Sequence, residues 1–178
     1  MRPLPLAATA LCIAAAAPTA AAGSLYDTTF GNAGDPCFQR TYDAAHLKAH
    51  PRQTVSGISL QFTSFNADAT TNTADMFELS LSFRLKSGNE WFGGPASCKT
   101  QGDHFSCALE GDGGVFTVTP MAGALTLAVI NRGGTDAKAD QINLEGRDGF
   151  AGFGKPAGDD LVFVIPKVAN SICSGSGY

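Results

Sequence analysis

Over residues 76–86 apolar and polar side chains alternate without a break. Phe77, Leu79, Leu81, Phe83 and Leu85 fall on one side, Glu78, Ser80, Ser82, Arg84 and Lys86 on the other. Successive side chains of a strand point to opposite faces, so this is a strand with one face on a core and one in water. Upstream, Val55, Ile58, Leu60 and Phe62 set up a second strand over 54–64, with Gly57 marking a bulge. Further strands are predicted over 124–130, over 141–145 with Ile142 and Leu144 inward, and over 160–165. The run from Leu161 to Ile165 is continuously apolar, which predicts a strand covered on both faces.

Between these lies a meander. Cys98 and Cys107 are symmetric about Gly102-Asp103, a pair suited to a two-residue type II′ loop. That register sets Gln101 against His104, Thr100 against Phe105 and Cys98 against Cys107. The next turn, centred on Asp112-Gly113 as a type I′ loop, pairs Leu109 with Phe116 and Cys107 with Val118. Phe105, Cys107, Leu109, Phe116 and Val118 then share a face. One short helix is expected over 43–50, capped by Asp43 and stopped by Pro51. The fold class is therefore all-β: an antiparallel sandwich or small barrel of about eight or nine short strands, with one short helix near the start of the mature domain. The linkers 132–140 and 146–159 are long and glycine-rich.

The start of the chain is read separately. Arg2, an apolar run over 4–17 and small residues ending in Ala20-x-Ala22 predict a signal peptide over 1–22, cleaved after Ala22. The run is shorter than the ~20 residues of a spanning helix, so no transmembrane segment is expected after cleavage. Residues 23–36 read as a loosely held arm, and 37–178 as a single disulfide-stapled β domain. Losing Arg2 lowers 12 basic residues to 11 against 16 acidic ones, moving the formal net charge from −4 to −5. Such a balance argues against nucleic acid as a partner.

Four cysteines remain after the leader: Cys37, Cys98, Cys107 and Cys173. In an exported chain they predict two disulfides, with three possible connectivities. The hairpin register selects Cys98–Cys107, and Cys37–Cys173 follows by elimination. No C-x₂-C spacing points to zinc.

Candidate chemistry is sparse. No cofactor is expected, although His46 and His50 stand at i, i+4 on the short helix and could share a divalent metal. The competing reading is a polar helix face, because Leu47-Lys48-Ala49 replaces the metalloprotease elaboration and no third ligand is nearby. Glu110 and Asp112 on a glycine-rich tip could contact Ca²⁺ or a sugar, although Asp-Gly already serves the turn. Trp91-Phe92 before Gly93-Gly94 is either a contact surface or a tucked core edge. No G-x-S-x-G elbow occurs, and the cysteines are committed to disulfides.

Pro36-Cys37-Phe38, Arg40, Tyr42-Asp43-Ala44-Ala45-His46-Leu47, His50-Pro51 and Gln53 resemble the front of an uncharacterised family of bacterial exported proteins. Asp112-Gly113-Gly114, Asp159-Asp160, Val162-Phe163 and Cys173 resemble its later landmarks. Some relatives carry a further cysteine where this chain has Gly111. The resemblance implies a bacterial envelope location, periplasmic or extracellular, and no activity. The expected function is a non-enzymatic β-domain that binds an envelope protein or small molecule, or holds part of the envelope together. A loop-inserting inhibitor of a basic envelope enzyme suits the acidic charge. The alternatives are a metal-dependent or hydrolytic enzyme using His46 and His50, and a carrier holding a small apolar ligand in a barrel cavity.

Overall fold

The computed structural model describes residues 24–31, 36–62, 76–130 and 142–173. The leader over 1–22 and the linker 132–140 lie outside the described residues. In chain order the elements are α1 (Leu25–Thr29), β1 (Cys37–Thr41), α2 (Ala44–Ala49), β2 (Val55–Phe62), β3 (Met76–Leu85), β4 (Trp91–Gln101) and β5 (His104–Leu109). Then follow β6 (Val115–Met121), β7 (Ala124–Val129), β8 (Ile142–Gly146), β9 (Gly149–Phe153), β10 (Val162–Val168) and α3 (Asn170–Cys173).

The choice between sandwich and barrel is decided by closure. Strands β1 to β7 pair in sequence order, β10 bridges β7 and β1, and every pairing is antiparallel. The result is a closed eight-stranded antiparallel barrel. Closure leaves no barrel strand with an open edge. Hairpin β8–β9 is additional, joining β4 at the Gly93–Glu145 pair. The alternating residues of β3 behave as expected: Phe77, Leu79, Leu81 and Phe83 are buried. Opposite them on β4 stand Cys98, Ala96, Gly94 and Phe92.

Two aromatic side chains from outside the barrel strands close its ends. At the end holding the 102–103 and 122–123 turns, Phe30 packs 5.3 Å from Phe77 and 5.4 Å from Phe105, centroid to centroid. At the other end Phe153 of β9 meets Phe83 at 4.8 Å and Phe163 at 5.4 Å, edge to face in both cases. Phe83, Phe105, Phe116, Phe153 and Phe163 are all fully buried, so rings occupy the barrel interior. Each such burial contributes about 1.5–3 kcal/mol relative to exposure.

Several expectations need correcting. The expected all-β small barrel itself forms, with eight strands closing it, but the linker 146–159 contains the additional strand β9 and the short β1 has no periodic signal. Part of the stretch read as a loosely held arm is α1, capped by Ser24 and anchored by buried Phe30. A lone apolar residue after a polar stretch gives no periodicity, so this docking is invisible in sequence. The apolar run at 161–165 is not covered on both faces: Phe163 and Ile165 point inward, whereas Val162 and Val164 are 59% and 40% exposed.

The β5–β6 register differs by two residues from the predicted one. Cys107 faces Phe116 and Phe105 faces Val118. Type I′ geometry requires positive φ at both central residues, but here positive φ falls on Gly111 and Gly114, not on Asp112. A longer loop forms instead, with the Leu109 N–H donating to Gly114 O. A slip of two preserves facing, so the inward set is unchanged. The 98–107 hairpin keeps its predicted register, with φ of 66° at Gly102. The bulge at Gly57 also forms where expected.

Candidate functional site

Helix α2 lies at the Phe153 end of the barrel. Asp43 caps α2, its Oδ1 accepting the His46 main-chain N–H at 2.7 Å, and the helix stops before Pro51 as predicted. Along this helix and just before it, the rings of Tyr42, His46 and His50 form a column, with centroids 4.5 and 4.4 Å apart. The Arg40 guanidinium carbon stands over the Tyr42 ring, 4.7 Å from its centroid. Burial raises the Tyr42 phenol above its ordinary 10.0; nearby Arg40 opposes this and Asp160 adds to it.

His46 is already engaged. Its Nε2 lies 3.0 Å from Gln53 Oε1, while Gln53 Nε2 donates to the Val55 carbonyl at 2.7 Å. That second bond orients the amide, so His46 Nε2–H is the donor to Gln53. The two histidines therefore stack face to face, and no group of three or more His, Cys, Asp or Glu side chains gathers as metal ligands among the described residues.

Asp160 was missed in sequence, where Asp159-Asp160 reads as a solvated strand boundary. It is buried. Its Oδ2 accepts both the main-chain N–H of Thr54 at 2.6 Å and the Thr54 hydroxyl at 2.5 Å, and its Oδ1 accepts the Val55 N–H at 3.2 Å. Next to it, Asp159 pairs with Arg52 at 2.8 Å. These contacts tie the segment after β9 to the start of β2 across a cleft of ≈ 420 Å³. Leu85 and Phe153 line this cleft, together with Arg52, Lys86 and Lys155.

Around the outer face of β8–β9 lies a second concavity. Glu145 and Phe150 are register partners and so share a face. Phe150 is 74% exposed, the most exposed large apolar side chain among the described residues. It shares a groove of ≈ 390 Å³ with Glu110, Asp112, Glu145 and Pro95. Two contacts fix the groove's walls. Asn143 N–H donates to Gly113 O at 3.0 Å, joining β8 to the tip that carries Glu110 and Asp112. Asp148 N–H donates to Glu90 Oε1 at 2.9 Å, holding the other end of the hairpin. A Cβ at Gly113 would lie 2.6 Å from Leu109 Cβ, so the tip approaches this closely only with glycine there.

The sequence thus placed Glu110 and Asp112 correctly at a hairpin tip but could not see what faces them. Trp91 and Phe92 are not in this groove's lining. Phe92 stacks on Phe83 at 5.4 Å, and Arg84 lies 5.5 Å over the Trp91 ring. The Trp91 indole covers Gly57, where a Cβ would stand 3.1 Å from Cη2. They form the tucked core edge.

Both disulfides form as paired from sequence. Cys98 and Cys107 face each other with Cα atoms 4.1 Å apart, and Cys37 joins Cys173 at 5.8 Å. Two disulfides fit an oxidising environment. No helix among the described residues is long and apolar enough to cross a membrane. Comparison with family models, curated proteins and solved structures finds no match to this chain. The functional reading therefore rests on these residues alone.

Proposed function

We propose that this chain is an exported, non-enzymatic barrel of the bacterial envelope that binds a protein partner through the acidic groove around Phe150. The observation that supports this reading most is the combination of a 74% exposed Phe150 with Glu110, Asp112 and Glu145 in one groove. An exposed aromatic beside a concavity is the pattern of an interface anchor. The carboxylates and the formal net charge of −4 select a basic partner. The occupant is a loop or tail presenting Lys or Arg beside an apolar side chain. The two disulfides and the expected leader support a periplasmic or extracellular location.

Site-specific photocrosslinking tests this in the native envelope. A photoreactive residue at 150 should yield one adduct with a basic protein, weakened by E110K/D112K. The same group at Met121, exposed on the opposite end of the barrel, should not yield it. No adduct from 150, or identical adducts from 150 and 121, would overturn the reading.

A further inference from the structure

We propose that the cleft at the Phe153 end is a binding site for a small amphiphilic anion. Its apolar body would rest on Leu85 and Phe153 while its charged head meets Arg52, Lys86 and Lys155. This site shares no lining residue with the acidic groove and does not depend on the protein-binding reading.

The charge distribution is the first reason. The chain as a whole is acidic, yet three of its 12 basic residues line this one cleft. The carboxylates nearby are already committed. Both oxygens of Asp160 accept hydrogen bonds from Thr54 and Val55, and Asp159 pairs with Arg52. Lys86 Nζ donates to the Pro51 carbonyl at 2.8 Å, which positions its ammonium without neutralising it. Lys155 is exposed, and its ammonium makes no hydrogen bond or ion pair among the described residues. Asp159 thus matches Arg52, and Asp160, which also lines the cleft, points its oxygens at Thr54 and Val55, so the Lys86 and Lys155 ammoniums are the charges left to meet an anion at the opening.

Shape is the second reason. A volume of ≈ 420 Å³ lies within the range of small-molecule sites. Phe153 seals the barrel interior beneath it, so the ligand sits on the plug and not inside the barrel. The walls are held by the Asp160 contacts to Thr54 and Val55 and by a turn in which Gly158 N–H donates to Lys155 O at 2.8 Å. A preformed site of this kind costs little ordering on binding.

The test uses the folded, oxidised chain and 8-anilinonaphthalene-1-sulfonate, an anion with an apolar body, read by fluorescence. We expect saturable binding at one site, displaced by decanoate and not by decanol. K155E should weaken binding by about threefold to tenfold. A157W, which places an indole in the cleft, should abolish it, while F150S leaves it unchanged. Lys155 and Ala157 are exposed, and matching thermal midpoints would show that both variants fold. Absence of saturable binding, equal displacement by decanol, or unchanged affinity in both K155E and A157W would each overturn the assignment.

Discussion

Asp160 and Thr54 are joined twice: one carboxylate oxygen accepts both the main-chain N–H and the side-chain hydroxyl of Thr54. The pair links the strand that completes the barrel, β10, to the start of β2, 106 residues earlier. A buried carboxylate is costly unless donors surround it, and these donors meet that need. Replacing Asp160 with Asn turns one acceptor oxygen into an NH₂ group that faces other donors. D160N should therefore lose about 2–3 kcal/mol of unfolding free energy, seen as a lower urea midpoint with unchanged slope. A midpoint within error of wild type would mean that water replaces the carboxylate at no cost.

Phe30 offers a sharper contrast between the sequence reading and the fold. A loosely held arm would tolerate any substitution there. Its ring instead lies among Phe38, Phe62, Phe77 and Phe105, covering one end of the barrel. F30A should cost about 3–4 kcal/mol by removing that ring from a packed cluster. It should also speed proteolysis ahead of residue 36. Urea denaturation with unchanged stability would show that α1 detaches freely in solution.

What was legible in the sequence follows from what repeats locally. Strand β3 announced itself because its alternation has period two, and the Cys98–Cys107 pairing followed from a turn with a sequence signature. Closure did not: β10 meets β1 and β7 through contacts that no local pattern encodes. Asp160 reads in sequence as one of two surface acids, and only Thr54, far away in the chain, makes it a buried clamp. The acidic groove was half legible. Glu110 and Asp112 sit on a recognisable tip, but Phe150 lay inside a glycine-rich linker with no alternating neighbours to mark a strand. Val162 and Val164 misled in the opposite direction, since exposed β-branched residues suit a strand without being buried.

The two disulfides should differ in worth because they close loops of very different length. Their sequence separations are 136 for Cys37–Cys173 and 9 for Cys98–Cys107. Loop-closure entropy gives about 5 kcal/mol for the former and about 2.6 kcal/mol for the latter as upper figures. Intact mass of the oxidised chain should be four hydrogens below that of the reduced one. C37S/C173S should then lower the unfolding midpoint roughly twice as far as C98S/C107S. Equal losses would show that strand pairing at β1 and β10 already restrains the chain ends.

Tyr42 makes stability sensitive to alkali. Burial is the main cause that raises its phenol above 10.0 in the folded chain, with Arg40 opposing and Asp160 reinforcing. The folded state therefore favours the neutral phenol over the phenolate. The stabilisation from this preference is full below pH 10 and is lost as pH rises through the folded pKa, because the unfolded chain gives up its proton first. Y42F cannot ionise, so its urea midpoint should fall less steeply above pH 10 than that of wild type. Below pH 9 the two curves should run parallel, since Phe keeps the ring that stacks on His46 at 4.5 Å. Parallel curves at every pH would mean that Tyr42 reaches solvent as readily in the folded chain as in the unfolded one.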